Sequence, residues 1–257
     1  MSAVNYQIHS DSEHKPWLML IHGLFGSLDN LSALRRQFTD SFQVISIDLP
    51  DHGKSAFTPS ISFEVYAELI STLLNGLGIN QLTLIGHSLG GKVAMQLALN
   101  HTEKVSRLVV LDIAPVKYSA RHNKVFEGLN NVDLKQITSR KEADIALSRY
   151  VEESSTRQFL LKSLYNQNQS WSWRFNLKQL QHDYRMISEA ITSDTPFTGP
   201  VLFIKGEHSD YILPQHKQAV LQLFPNSEYK MVSGTGHWLH AEKPELCSKI
   251  ISAFLSK

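Results

Sequence analysis

Leu82-Thr83-Leu84-Ile85-Gly86-His87-Ser88-Leu89-Gly90-Gly91-Lys92 decides how the fold is read. Leu82–Gly86 is a short β-rich run, Gly86 to Gly90 spell G-x-S-x-G, and Gly90–Leu99 is small and apolar enough for a buried helix. Strand, tight turn and helix together are the setting of a nucleophile elbow, in which a serine stands on a sharp turn at a strand's carboxyl end. Small flanking residues let strand and helix approach closely. The helix start offers N–H groups and a positive dipole end to a developing oxyanion. By chance the bare pattern turns up roughly 0.1 times in a chain of this length. The stretch from Gly86 to Lys92 also spells G-x-x-x-x-G-K, but Val93 stands where a phosphate loop needs Ser or Thr for Mg²⁺. That reading is set aside.

Working outward, Trp17–Ile21, Gln43–Asp48 and Arg107–Asp112 are further short apolar runs, each followed by polar or glycine-rich sequence. Between them, Phe63–Leu77 places Val65, Leu69, Leu73 and Leu77 at helical spacing. Strands alternating with helices predict an α/β fold with a mostly parallel, doubly covered sheet. Functional groups are then expected at the carboxyl ends of the strands. From Pro115 to Pro196 the pattern breaks: no strand is read there, only helical stretches and an aromatic cluster of Trp171, Trp173 and Phe175. Sheet signals return with Val201–Gly206, a helix through Gln215–Leu223, a strand over Glu228–Val232 and a last helix over Pro244–Leu255. The expectation is a core domain from 1–114 and 197–257, with a helical cap, or lid, inserted as 115–196.

Composition narrows the function classes. The 257 residues carry 25 Lys+Arg against 24 Asp+Glu, a net charge of +1, which excludes a dedicated polyanion binder. No nucleic-acid partner is expected. The longest apolar runs are about five residues, far below the ~20 that span a bilayer, and no apolar leader follows Met1. The single cysteine, Cys247, excludes an intramolecular disulfide. A soluble, cytoplasmic chain is expected, with no membrane partner; oligomeric state is not legible.

The candidate site gathers on loops after strands. Ser88 is the nucleophile, and the N–H of Leu89 is one oxyanion donor. His22-Gly23-Leu24-Phe25-Gly26 follows the first run; Leu24 is the second donor, with Phe25 as the alternative. Gly234-Thr235-Gly236-His237 makes His237 the base, in the chain order Ser…Asp…His. His237 and His240 form an H-x-x-H pair, but without the acidic partner of a zinc motif, so no metal site is assigned. Two carboxylates compete to orient the histidine. Asp112 ends a strand. Asp210 follows Gly206-Glu207-His208-Ser209, one residue later than a G-x-x-Asp turn would place it. Asp112 is favoured because a one-residue shift points a side chain the other way. His22, Trp171 and Trp173 are candidate substrate contacts; the tryptophans fit equally a structural cluster that holds the cap down. Lys117, Arg121 and Lys124 fit a solvated face or a site for a phosphate-bearing leaving group.

With these residues in place, the chain resembles the α/β-hydrolase superfamily. Leu108–Val116, Trp171–Leu177 and Gly234–Pro244 are similar to the YbfF-type bacterial esterases. The resemblance implies the α/β-hydrolase fold with a helical cap after the sixth strand. It implies esterase or acyl-thioesterase activity on a small acyl ester or thioester, without metal or organic cofactor. It also implies Asp112 as the acid, with Ser209 assisting. Asp48, Gly53 and Ser55 of the D-x-x-x-x-G-x-S stretch are read as structural. A serine at the elbow excludes the carboxylate-nucleophile relatives. Carbon–carbon bond hydrolysis, acyl transfer and a non-catalytic ligand-binding role stay open.

Overall fold

Alternate residues of each central strand feed two separate cores, which is why the strands read as continuous apolar runs. The computed structural model describes residues 3–257; Met1 and Ser2, the start of the expected 1–114 segment, lie outside the described residues. The strands are β1 (Tyr6–His9), β2 (Trp17–Ile21), β3 (Gln43–Ile47), β4 (Leu82–His87), β5 (Val105–Leu111), β6 (Leu164–Gln167), β7 (Ser170–Trp173), β8 (Val201–Gly206) and β9 (Ser227–Val232). The helices are α1 (Ser32–Phe38), α2 (Phe63–Gly76), α3 (Leu89–Asn100), α4 (Asn123–Asn130), α5 (Arg140–Ser148), α6 (Ser154–Leu161), α7 (Leu177–His182), α8 (Tyr184–Ser188), α9 (Lys217–Leu223), α10 (Leu239–Glu242) and α11 (Pro244–Leu255).

Seven strands form one sheet in the order β1-β3-β2-β4-β5-β8-β9. All neighbours are parallel except β1, which runs antiparallel beside β3 with Tyr6 opposite Ile47. Met19, Ile21, Leu84 and Val110 face the core under α2 and α3. Leu18, Leu20, Ile85 and Val109 face the core under α1 and α11. The strand order reverses direction between β2 and β4. Their carboxyl ends therefore open a crevice, the place where open parallel sheets bind ligands.

Residues 115–196 leave after β5 and return at β8, carrying α4–α8. Among the described residues this is the fifth strand rather than the expected sixth, because the segment ahead of β2 supplies β1 alone. A second difference lies inside the cap. β6 and β7 pair as a hairpin, where no strand was expected. Their four-residue strands are short and largely polar, and the turn is Asn168-Gln169, both at positive φ (51° and 64°). Two such residues suit a type I′ turn, whose usual Gly is missing here. In α2 the buried face is centred on Tyr66, Ile70 and Leu74, so the stripe Val65, Leu69, Leu73 and Leu77 runs along its edge.

Asp48, just past β3, ties the loops around the crevice together. Its buried carboxylate accepts from the Leu28 N–H (2.8 Å), the Lys54 N–H (2.9 Å) and the Asn5 side-chain amide (2.7 Å). Gly53 packs against it at φ +58°, where a Cβ would lie 2.1 Å from the carboxylate carbon. The Ser55 hydroxyl donates to the Asp48 carbonyl at 2.7 Å. Asp48→Ala, which strands three donors, is expected to lower the unfolding free energy by about 3 kcal/mol in urea titration. A loss under about 1 kcal/mol contradicts this role.

Candidate active site

Ser88 follows β4 directly and stands at φ +52°, ψ −120°. Few non-glycine residues adopt that backbone, and holding it costs on the order of 1–3 kcal/mol. Two close approaches explain the flanking glycines. A Cβ on Gly86 would lie 2.3 Å from the Gly90 carbonyl, and one on Gly90 would lie 2.4 Å from the Ile21 and His22 carbonyls. The turn is pinned sideways by the Ser88 N–H, which donates to the Leu111 carbonyl at 3.0 Å. Forward, the Ser88 carbonyl accepts from Gly91 and Lys92 as α3 begins.

His237, from the loop after β9, reaches Ser88 across the crevice. Its Nε2 lies 3.0 Å from the Ser88 Oγ, and its Nδ1 lies 2.7 Å from the Asp112 Oδ2. An ionised carboxylate only accepts, so Nδ1 carries the proton and Nε2 is left as acceptor for the serine O–H. Asp112 is fully buried and also sits at positive φ, 53°. Its Oδ1 accepts from the Gly206 N–H at 3.0 Å, and the Ser209 hydroxyl donates to Oδ2. The Tyr211 ring stacks on the His237 imidazole at 4.1 Å. Behind it, the buried His87 donates from Nε2 to the His237 carbonyl at 2.9 Å. Burial holds the His87 imidazole well below its ordinary pKa. His240 packs on His87 at 4.2 Å and is pushed down to about 3 by burial. His237 and His240 are therefore not a ligand pair, since both nitrogens of His237 already face Ser88 and Asp112.

Gly23–Gly26 forms a turn closed by the Gly26 N–H on the Gly23 carbonyl (3.1 Å). Phe25 takes its third position at φ +62°, and the Ser163 hydroxyl of the cap donates to its carbonyl at 2.7 Å. Leu24 and Leu89 line a small cavity with Ser88, of about 40 Å³. Among the described residues, the N–H groups of Leu24, Phe25 and Leu89 have no protein acceptor. A larger open cleft of about 960 Å³ runs from Ser88 and His237 toward Val125, Tyr150, Phe159 and Trp238.

Three expectations fail. Asp210 is 69% exposed and pairs with Arg121 at 2.6 Å, because the turn after β8 brings Ser209 rather than Asp210 inward. His22 does not face a ligand: it is buried, its Nε2 accepts the Leu49 N–H (3.0 Å), and its Nδ1–H donates to the Gly23 carbonyl (2.8 Å). It ties the end of β2 to the end of β3. Trp171 and Trp173 line neither cavity at Ser88. Trp173 stacks on Phe175 at 5.5 Å, and Phe175 packs on Phe25 at 5.1 Å, so the cluster seats the inserted segment on the Gly23–Gly26 turn. Sequence reasoning missed Tyr211 and His122. His122 lines both cavities, lies 2.6 Å from the Tyr184 hydroxyl through Nδ1, and is pushed down to about 4 by burial. No spacing rule points to either: the turn after β8 brings Tyr211 onto the imidazole, and the inserted segment brings in His122.

A family profile described as alpha/beta hydrolase fold matches residues 16–244. A putative esterase/lipase of Haemophilus influenzae is 36% identical over 259 residues, covering 100% of this chain and 89% of the relative. Esterase YbfF of Escherichia coli is 35% identical, covering 93% of this chain and 92% of its own. Among solved structures, a marine microorganism esterase superposes with a TM-score of 0.94 at 33% identity, over 98% of both chains.

The geometry predicts that a fluorophosphonate probe labels Ser88. Asp112→Asn, which leaves the wrong imidazole tautomer, is expected to slow labelling by about 10³-fold or more. Asp210→Asn is expected to stay within about twofold, and the reverse ranking refutes the placement of the acid.

Proposed function

The chain belongs to the α/β-hydrolase fold family, and from that membership we propose that it is a serine carboxylic-ester hydrolase working through an acyl-enzyme. The observation that carries the proposal is the continuous Asp112–His237–Ser88 relay, at 2.7 and 3.0 Å. Its esterase-named relatives match nearly the whole chain and support the same reading.

Ser88 attacks the ester carbonyl carbon as its proton passes to the Nε2 of His237. Asp112 stabilises the imidazolium and fixes its tautomer; it stays ionised. The carbonyl oxygen, now negative, is met by the N–H groups of Leu24 and Leu89, each worth about 3–4 kcal/mol in the transition state. Collapse expels the alcohol, which takes the proton from His237. Water then repeats the cycle on the acyl-enzyme, with His237 as base, and the acid leaves. Ser209 steadies the carboxylate that steadies the histidine.

Substrate choice falls to residues 115–196, which we read as a lid. The cleft is partly apolar and carries both Arg121 and Lys124 and Glu152 and Glu153. That balance suits a neutral or weakly charged acyl ester. A thioester fits the same relay, because the tetrahedral step is shared. Strain at Ser88 and Asp112 favours catalysis over simple ligand binding, which has no use for an exposed, activated hydroxyl. A cytoplasmic site of action fits a chain whose one cysteine, Cys247, is buried and free. Among the described residues no helix is long and apolar enough to cross a membrane.

Ser88→Ala and His237→Ala are each expected to cut kcat for p-nitrophenyl butyrate by about 10⁴-fold or more, with far-UV circular dichroism unchanged. Near-normal turnover in either variant sinks the proposal.

A further inference from the structure

Lys92 is the part of the Gly86–Lys92 stretch that the relay does not use. It lies one turn into α3, on the helix whose first residue is Leu89. Its side chain is buried, yet among the described residues it makes no ion pair. The Nζ donates instead to three backbone carbonyls of the cap's neck: Val116 at 2.9 Å, Ser188 at 3.5 Å, and Glu189 closer still. The rings of Tyr118 (4.9 Å) and Phe63 (5.3 Å) flank it. The Glu189 carboxylate turns away to Lys117 and Arg185.

Val116 belongs to the segment that leaves β5 for the cap, and Ser188–Glu189 to the segment that returns from α8. These two segments are already paired, through the Tyr118 N–H on the Ser188 carbonyl (2.9 Å) and the Ile191 N–H on the Pro115 carbonyl (3.1 Å). The ammonium grips both from beneath. Three N–H donors meet three acceptors, so no donor is left for a phosphate or an anionic substrate. Burial pushes the ammonium down to about 7, which means that its charge is held in the interior at a cost. A methionine would fill the same space without that cost. The residue makes sense where the carbonyls need a donor.

We propose that Lys92 is a positioning residue that locks the neck of the cap to the nucleophile helix and so holds the wall of the acyl site in register with Ser88. The inference rests on the esterase reading above. Tyr118, Ile187 and Ser188, on the clamped segments, form one wall of the small cavity beside Ser88, and the Lys92 side chain itself borders that cavity behind them. The oxyanion donor Leu89 stands on the clamping helix. Substrates whose chains reach the cap depend on the clamp; an acetate, which ends at the oxyanion site, depends on it far less.

The test is a chain-length comparison on Lys92→Met. The KM for p-nitrophenyl octanoate is expected to rise about tenfold, while kcat/KM for p-nitrophenyl acetate falls no more than about threefold. Amide hydrogen exchange should speed up in 116–118 and 188–191 but not in 93–100. Lys92→Arg, which keeps charge and donors, should recover most of the octanoate KM. Equal losses on both esters, or no loss on either, overturn the clamp. Retained acetate turnover shows that the Ser88 relay still works, so failure of the clamp is distinguishable from failure of the esterase reading. An independent reading needs no variant. In ¹⁵N-lysine-labelled protein, the Lys92 ammonium protons should exchange with water far more slowly than those of surface lysines, and exchange as fast as theirs contradicts the clamp.

Discussion

The left-handed backbone at Ser88 is the constraint from which the rest of the site follows. A serine at φ +52° is lifted out of β4 only because Gly86 and Gly90 let the strand, α3 and the end of β2 touch. The neighbouring strand repeats the device, with Asp112 at φ +53°. Each is tied to the next strand across: Ser88 to the Leu111 carbonyl, Asp112 to the Ile204 carbonyl. The registers of β4, β5 and β8 therefore set how far Ser88 and Asp112 stand apart. Two cores, one on each face, hold those registers, since slipping a strand by one residue would move its apolar side chains to the wrong layer.

The second layer of support is made of buried polar groups rather than of further packing. His22, His87 and Asp48 are all buried and all hydrogen-bonded to backbone of the loops at the strand ends. Burial keeps the two imidazoles neutral, so each acts as a rigid spacer with one donor and one acceptor. Residues 115–196 are held by contacts of the same kind in addition to the packing of Trp173 and Phe175 on Phe25. Asn176 reaches Asp51 with both side-chain and backbone N–H, Asp183 accepts the Ile61 N–H, and Lys92 takes the neck. Position in this molecule is set by hydrogen bonds to main chain, which tolerate little displacement.

Much of this was legible in the chain. β2, β8 and α11 match their predicted spans because a strand covered on both faces reads as an unbroken apolar run and a half-buried helix keeps its 3.6 period. Ser88 and His237 could be named because each stands in a glycine-framed loop after a strand. Asp112 is singled out by its place at a strand end, and it is the carboxylate that lies 2.7 Å from the His237 imidazole, although both it and Asp210 stand in turns where strand alternation does not decide. The failures share a cause. β1 and the β6–β7 hairpin are edge or surface elements whose polar faces hide the period. His22 draws notice by its place beside the glycine turn, and Trp171 and Trp173 by their clustering in the inserted segment, yet burial and hydrogen-bond partners decide what each side chain touches. The clamp by Lys92 was hidden for the same reason, since its three acceptors are backbone carbonyls from two segments roughly 25 and 95 residues away along the chain.

The central claim is that the acyl group passes through Ser88. Mixing the protein with excess p-nitrophenyl butyrate, quenching in acid within milliseconds and mapping the peptides by mass spectrometry tests it most directly. One butyryl group per chain is expected on the peptide that contains Ser88, and none on that peptide in Ser88→Ala. A butyryl group on another residue, or rapid hydrolysis with Ser88 unmodified at every time point, would contradict it.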